Sequence, residues 1–165
     1  TALTLAVGIP LDSILRMLRE YKGEPHRVQL ILRASDIDYV DDSKGTNVDA
    51  AIIALRAIKG NIILIAGGDG KGQEFDELIK NFDGKVKKLV LIGRDGKIIA
   101  DTAQHLGYSD YVFGRDMDEC VKIAFAAAEP GDTVLLSPAC ASWDMYDNFE
   151  QRGKHFKECV MRLGI

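Results

Sequence analysis

Cysteine is scarce in this 165-residue chain, and the three that occur form no CxxC pair. They lie at widely spaced positions: Cys120, Cys140 and Cys159. An odd number of isolated cysteines gives no support for a disulfide framework or a zinc site. We therefore expect free thiols in a reducing cytosol, each packed as a small buried hydrophobic side chain.

Histidine is equally sparse, with His26, His105 and His155 far apart along the sequence. Such a distribution indicates neither a metal cluster nor a catalytic triad, so we predict no metal site in this chain. The serines of residues 137–142 do not lie in a G-x-S-x-G motif, and they therefore give no indication of a nucleophile elbow.

Long apolar runs and an excess of positive charge are missing as well. No run approaches the roughly 18 residues that cross a bilayer, and no signal-peptide pattern opens the printed sequence. The net charge of −4 argues against nucleic acid or an anionic membrane as the main partner. We expect a cytoplasmic protein with neither of these partners.

A methionine is missing from the start of the chain, which begins at Thr1, and its four methionines all lie further along. Since translation normally begins with Met, we expect a piece of a longer protein. Hydrophobic residues make up 47% and charged residues 28% of the sequence, which suits an ordered domain with a sizeable core. The length fits one domain with a short appendage.

Residues 1–23 are interpreted as that appendage. Within "PLDSILRMLREYKG", apolar residues recur at helical spacing: Leu11, Ile14, Leu15 and Leu18. The pattern predicts a helix with Gly23 as its C-cap. Because Pro25 interrupts any continuation, we expect the domain itself to span residues 24–165.

Strand and helix patterns alternate along the rest of the chain. Two short strand patterns, "RVQLILR" and "IDYVDD", predict a hairpin joined by "ASD". Apolar segments predict further strands: "NIILIAGG", "VKKLVLIG", "DYVF" and "DTVLLS". Amphipathic segments predict helices: "NVDAAIIALRAI", "QEFDELIKNF", "GKIIADTAQHLG", "MDECVKIAFAAA" and "NFEQRGKHFKECVMRL". This order predicts an α/β, Rossmann-like fold, with a mainly parallel sheet, helices on both faces and an N-terminal β-hairpin.

Ligands of such folds bind past the carboxyl ends of the strands. The blocks that lie there are "DDSKGTN" (41–47), "GGDGK" (67–71) and "SPACASWD" (137–144). In the first block, Gly45 permits close backbone approach, and Thr46 or Asn47 is suited to cap a helix whose free N–H groups face an anion. The alternative is an ordinary capped connection with a solvated Lys44.

The second block follows a buried strand with glycines and a lysine. It departs from the P-loop pattern because Gly72 follows Lys71 where a Ser or Thr would hold magnesium. No acidic residue ends the next strand to bind a ribose, since Gly93 stands there, so a dinucleotide site is weakly supported. Taken alone, "GGDGK" and the later "GRDGK" are best interpreted as turns.

The third block continues as "SPACASWDMYDNFEQRG" and combines small side chains with two aromatic residues, Trp143 and Phe149. Small residues allow a ligand to approach the backbone closely, and hydroxyl and amide groups can then bind its carboxylate. The alternative is tight packing of the loop against the sheet.

Taken together and in order, five blocks resemble the C-terminal domain of the Mur ligase family: "PHR", "DDSKGTN", "GGDGK", "GRDG" and "LLSPACASWDMYDNFEQRG". The resemblance covers the chain from Glu24 almost without gaps, while residues 1–23 resemble the last helix of the preceding central ATPase domain. Within the family, the blocks fit the members that add D-glutamate. The Asp-Asn-Pro-Arg motif of the diaminopimelate-adding members is missing.

The resemblance implies an ATP-dependent amide ligation in peptidoglycan synthesis. ATP phosphorylates the carboxylate of UDP-MurNAc-L-alanine, the amine of D-glutamate attacks the acyl phosphate, and phosphate leaves. The central domain of such ligases supplies the P-loop, the Mg²⁺ ligands and a carbamylated lysine, none of which is in this chain. We therefore expect no catalytic residue here, and a domain that brings D-glutamate and closes over the nucleotide.

The resemblance also implies roles for individual residues. Lys71 is expected to pair with a carboxylate of D-glutamate, and the rest of that pocket is expected to comprise Thr46, Ser142, the Trp143 backbone and Phe149. Residue 143 departs from the family pattern, because we expect a smaller aliphatic side chain at this position. A tryptophan side chain that filled the pocket would change the contact.

Nucleotide contacts are implied for a second set of residues. His26 and Arg27 match linker residues that reach ATP when the domains close, and Asp42 and Lys44 resemble residues that face the ribose and the phosphates. Two alternatives stay open: a Mur-type or folylpolyglutamate-type ligase for another amino acid, and a nucleotide- or amino-acid-binding module without catalysis.

Overall fold

The computed structural model describes residues 2–21 and 23–165. Its strands are β1 (Gln29–Ala34), β2 (Ile37–Asp41), β3 (Ile62–Gly67), β4 (Val86–Ile92), β5 (Tyr111–Phe113) and β6 (Thr133–Leu136). Its helices are α1 (Ala2–Ala6), α2 (Leu11–Glu20), α3 (Val48–Ala57), α4 (Asp76–Lys80), α5 (Gly96–His105), α6 (Met117–Ala127) and α7 (Phe149–Met161).

The strands form one six-stranded sheet in the order β1-β2-β6-β3-β4-β5. Strands β1 and β2 pair antiparallel as the predicted hairpin, and the other neighbours pair parallel. The predicted fold class is therefore confirmed. None of the helices in the described ranges combines the length and the apolar character that a membrane crossing requires.

Both faces of the sheet are covered, and the central strand β3 shows why its sequence is apolar throughout. All six of its residues are buried. Because side chains alternate along a strand, Leu64 joins the core beneath α3, α4 and α5, while Ile63 and Ile65 join the core beneath α6 and α7. A strand buried on both faces favours apolar residues at every position.

The three cysteines are buried free thiols, as predicted. Burial raises the pKa of the Cys140 thiol to about 12, and the same effect acts on Cys120. These thiols therefore stay protonated at neutral pH and serve as packing groups.

Two helix predictions were wrong at their ends. Helix α2 stops at Glu20, because Tyr21 turns to an extended conformation with ψ 113°, so Gly23 does not cap it. Helix α4 is shorter than the predicted segment "QEFDELIKNF", since the Gln73 N–H bonds the Gly70 carbonyl in a preceding turn. The helix α1 was not predicted.

The order of the strands brings the three blocks at their carboxyl ends together. Strand β6 lies between β2 and β3, so the loops that follow these three strands are neighbours. The loops after β3 and β6 are joined by reciprocal backbone hydrogen bonds of 2.9 and 2.8 Å between Asp69 and Ala141. Gly68 has φ +128°, and a Cβ there would overlap the Ala141 carbonyl oxygen, so the close approach of the loops requires glycine.

A buried arginine of α7 fixes the remaining loop. The Arg152 side chain, only 1% exposed, donates through Nε to the Ser43 hydroxyl at 2.9 Å. Its Nη2 donates to the Ser43 carbonyl at 2.8 Å and its Nη1 to the Cys140 carbonyl at 3.0 Å. Burial lowers the pKa of Arg152 to about 10, which still leaves it charged at neutral pH. One guanidinium thus joins the loops after β2 and β6 to α7.

Replacing Arg152 with methionine tests this role. The Arg152→Met variant keeps much of the length of the side chain but leaves the carbonyls of Ser43 and Cys140 without their donor. We expect a loss of about 2–4 kcal/mol in the free energy of unfolding, measured by urea denaturation. The control is Arg162→Met at the exposed end of the same helix, which should change the free energy by less than about 0.5 kcal/mol. Equal losses in both variants would contradict the role of Arg152.

Candidate functional site

A cavity of about 220 Å³ opens at the carboxyl edge of the sheet, between the three loops and the start of α7. Its lining comprises Thr46, Lys71, Ala141, Ser142, Trp143, Asn148, Phe149 and Glu150. All five residues that the resemblance assigned to an amino-acid pocket are therefore neighbours in space. They come from three loops and from the start of α7, which the strand order and Arg152 bring together.

The loop after β3 presents Lys71 to this cavity. Lys71 has φ +54°, which is uncommon for a residue other than glycine. Its N–H donates to the Asp69 carboxylate at 2.8 Å, which fixes the backbone from which the side chain projects. The Gly70 N–H donates to the Asp95 carboxylate at 2.7 Å. The Lys71 ammonium itself is exposed and lies 5.8 Å from the centroid of the Trp143 ring.

The loop after β6 supplies one buried and one exposed residue. Ser142 is 2% exposed, and its carbonyl accepts the N–H groups of Met145 and Tyr146 at 3.0 and 2.8 Å. Trp143 is 67% exposed and stands at the edge of the cavity. Most of the tryptophan side chain therefore faces solvent instead of filling the cavity.

The start of α3 contributes Thr46, but its N–H groups are less available than the sequence predicts. Asn47 caps the helix by accepting the Ala50 N–H at 2.9 Å. The Val48 N–H donates to the Gln73 side chain at 3.2 Å. The expectation of several free N–H groups facing an anion was therefore wrong for Val48 and Ala50, because side chains of the protein already occupy them.

The start of α7 forms the opposite wall of the cavity. Asn148 caps this helix by accepting the Gln151 N–H at 2.8 Å, and Phe149 and Glu150 follow as its first residues. First-turn N–H groups have no acceptor within their helix, and the helix dipole adds positive potential there. Together with the Lys71 ammonium, these N–H groups favour a negatively charged ligand, and the Glu150 carboxylate on the same wall opposes that preference.

A second cavity, of about 200 Å³, lies next to the first along the loop after β2. It is lined by Arg27, Val28, Asp42, Lys44, Gly45, Ala50, Ile53 and Ala54, which include three of the four predicted nucleotide contacts. The Lys44 ammonium pairs with Glu24 at 2.7 Å and lies 5.7 Å from the Phe149 ring centroid. Phe149, which lines the first cavity, thus contacts a residue that lines the second.

Asp42 has a structural role in this second cavity. Its two carboxylate oxygens accept the Ser137 hydroxyl at 2.7 Å and the Val28 N–H at 3.2 Å. Burial raises the pKa of the Asp42 carboxyl above its ordinary value. A ribose hydroxyl that bound Asp42 would therefore use carboxylate lone pairs not engaged in these two hydrogen bonds, or would replace one of the bonds.

His26 is the one predicted nucleotide contact that lines neither cavity. Its Nδ1 lies 2.7 Å from the buried Asp41 carboxylate, and its ring meets the Phe149 ring edge-on at 6.2 Å. A Cβ on Gly153 would overlap the His26 ring, so the histidine is closely enclosed by α7. The structure thus ties the linker before β1 to the aromatic wall of the first cavity.

Several residues that shape the site were not predicted from the sequence. They are Gln73, Asp95, Asn148, Glu150 and Arg152. The Asn-x-x-Gln pattern of residues 148–151 is a cap signal that could have identified the start of α7. The burial of Arg152 has no such signal, because an arginine in an amphipathic helix normally faces solvent. Within the described ranges, no three His, Cys, Asp or Glu side chains are grouped as metal ligands.

Comparison with known proteins adds to this geometry. Among curated proteins, the chain is 48% identical over 163 residues to the UDP-N-acetylmuramoylalanine--D-glutamate ligase of Alkaliphilus oremlandii. It is 51% identical over 158 residues to the protein of the same name from Thermoanaerobacter sp. strain X514. These alignments cover 99% and 94% of this chain but 36% and 35% of the relatives, so the chain spans about a third of their length.

A solved structure supports the fold in the same way. The UDP-N-acetylmuramate-alanine ligase of Thermotoga maritima superposes with a TM-score of 0.71 at 19% sequence identity, covering 98% of this chain and 36% of that one. The family model described as Mur ligase, glutamate ligase domain, matches residues 26–140. The resemblance of the five sequence blocks is thus confirmed at the level of the family, and the chain belongs to the Mur ligase glutamate ligase domain family.

Proposed function

We propose that this chain is the D-glutamate-binding domain of an ATP-dependent ligase, which joins D-glutamate to UDP-MurNAc-L-alanine in peptidoglycan synthesis. One observation carries the proposal: Lys71, Ser142 and Phe149, with Thr46 and Trp143, line a single cavity. Relatives that share about half of the aligned residues bear the name of this ligase, which supports the choice of amino acid.

The chemistry of the cavity suits a small dicarboxylate. Its volume of about 220 Å³ is below the roughly 300–1,000 Å³ of pockets for drug-sized ligands, so it fits an amino acid better than a nucleotide. Lys71 offers an ammonium for one carboxylate, and Thr46 and Ser142 offer hydroxyl groups. The start of α7 adds a second region of positive potential, while Phe149 excludes water from one side.

The second cavity suits the phosphate side of a nucleotide. Arg27 and Lys44 would hold phosphate oxygens, because both are cations at its edge. His26 and Asp42 would act mainly through the linker and loop that they anchor. ATP binding with Mg²⁺ would then depend on a phosphate-cradling loop and metal ligands elsewhere in the longer protein. We place this reaction in the cytoplasm.

In the proposed mechanism, this domain orients D-glutamate for the reaction. Phosphorylation of the UDP-MurNAc-L-alanine carboxylate would occur on the rest of the ligase. Lys71 and the hydroxyl groups would hold the carboxylates of D-glutamate, so that its amine stays free to attack the activated carbonyl. Holding the two reactants in line is worth several kcal/mol of the barrier, which makes positioning a sufficient role for a domain without catalytic residues.

We further propose that residues 2–21 belong to the preceding domain. Large apolar side chains are exposed along this segment: Leu3, Leu5, Val7, Ile9, Leu11, Leu15, Met17, Leu18 and Tyr21. Its one buried apolar side chain among the described residues, Ile14, joins neither core of the sheet. Such a concentration of exposed apolar residues indicates a surface that another part of the protein covers.

Lys71→Met in the full-length ligase tests the pocket. The variant removes the charge that pairs with a carboxylate, a contact worth about 1.5–3 kcal/mol. Steady-state kinetics should show the KM for D-glutamate raised roughly ten- to a hundredfold, with a much smaller change in the KM for ATP.

Lys97→Met provides the matched control, because Lys97 is an exposed lysine that pairs with Asp101 on α5. It should leave both Michaelis constants near those of the unaltered enzyme. If Lys71→Met raised the two constants equally, Lys71 would serve the nucleotide, and the assignment of the cavity to D-glutamate would be wrong.

The 165-residue chain alone should show no ligase turnover. It holds no P-loop sequence, so the carboxylate of UDP-MurNAc-L-alanine cannot be activated. A phosphate-release assay with ATP, UDP-MurNAc-L-alanine and D-glutamate should give the rate of the buffer blank. Formation of the amide product by the purified chain would contradict the proposal that the carboxylate is activated elsewhere in the ligase.

Shortening the chain tests the proposed domain boundary. A chain that begins at Glu24 should lose less than about 1 kcal/mol of stability, which corresponds to at most about 2–4 °C in Tm. Phe156→Ala in the core beneath α7 serves as the comparison and should cost about 3–5 kcal/mol. A larger loss on shortening than on Phe156→Ala would show that residues 2–21 are part of this domain.

A further inference from the structure

The Lys71 ammonium has an aromatic partner instead of a carboxylate. Across residues 2–21 and 23–165, no Asp or Glu side chain lies within ion-pair distance of its Nζ, whereas the Trp143 ring centroid is 5.8 Å away. Lys44 provides a contrast within the same site, because its ammonium already pairs with Glu24 at 2.7 Å. Lys71 is thus a cation held at the cavity edge without a bound counter-charge.

The geometry of the two loops makes this contact specific. Asp69 and Ala141 bond each other reciprocally, and Lys71 and Trp143 each lie two residues further along their loops. The Trp143 backbone is fixed from the other side, since the neighbouring Ser142 carbonyl accepts two N–H groups. Both side chains therefore start from anchored positions and meet above the cavity.

Their separation falls within the range of a cation–π interaction, which extends to about 6 Å from the ring centroid. Trp143 has 67% of its surface exposed, so packing does not explain a tryptophan at this position. An aliphatic side chain of the kind expected there would offer no negative ring face. The interaction restricts the rotamers of a long, flexible lysine before any ligand arrives.

We propose that Trp143 is the positioning residue for Lys71, and that it acts on D-glutamate affinity by holding the ammonium over the pocket. This inference rests on the proposed function, since it assumes that Lys71 binds a carboxylate of D-glutamate. At an exposed site a cation–π contact corresponds to about two- to fivefold in an equilibrium constant. Trp143 thereby tunes the affinity of the pocket without contacting the reacting amine.

A double-mutant cycle in the full-length ligase tests the proposal. Trp143→Leu should raise the KM for D-glutamate about two- to fivefold relative to the KM for ATP. In a Lys71→Met background the same substitution should have an effect below about 1.5-fold, because its target is gone. Trp143→Phe, which keeps a ring face, should recover most of the loss.

The outcomes separate the proposal from the function on which it rests. If Lys71→Met leaves the KM for D-glutamate unchanged, the pocket assignment fails, and the role of Trp143 fails with it. If Lys71→Met raises that KM but Trp143→Leu has the same effect in both backgrounds, the pocket stands and the positioning role is overturned. Full activity of Trp143→Leu would overturn it as well.

Fluorescence gives a second readout that does not depend on turnover. Trp143 is the only tryptophan in the 165-residue chain, so its emission reports on the ring beside Lys71. Lys71→Met should change the emission spectrum, whereas Lys44→Met, whose ammonium lies over Phe149, should not. Circular dichroism of each variant confirms folding. Identical spectra for Lys71→Met and the unaltered chain would overturn the contact.

Discussion

The buried guanidinium of Arg152 is the interaction on which the site depends. A charge that is 1% exposed is costly to desolvate, and it persists here because three oxygen acceptors on two loops surround it. Since those loops follow β2 and β6, the same bonds that satisfy the charge also anchor the loops that carry Thr46 and Ser142. Two of the loops that line the cavity are thereby anchored to the helix that carries the arginine.

Phe149 connects the two cavities that this frame creates. It lines the proposed amino-acid pocket, lies under the Lys44 ammonium and meets the His26 ring edge-on. His26, in the linker before β1, is in turn held by the buried Asp41. A movement of the linker would therefore reach the wall of the cavity through packed side chains.

Much of the fold could be predicted from the sequence, because strands buried on both faces, such as β3, are mostly apolar. The site was harder to predict from the sequence than the fold. The residue chemistry of "GGDGK" or "DDSKGTN" alone favours turns and caps, and the predicted pocket came from the resemblance of five blocks in order. The contacts of the Gln73 and Arg152 side chains could not be foreseen, because their partners, which are mostly backbone groups, are distant in the sequence. The exposed position of Trp143 likewise depends on a turn that only the folded backbone defines.

The cavity between the three loops and α7 is proposed to bind D-glutamate. A crystal structure of the full-length ligase with D-glutamate and a non-hydrolysable ATP analogue tests it most directly. We predict that a carboxylate of D-glutamate lies about 2.7–2.9 Å from the Lys71 ammonium, with Thr46, Ser142 and Phe149 around the ligand. D-Glutamate bound outside this cavity, or Lys71 bound to a phosphate of the nucleotide, would contradict the account.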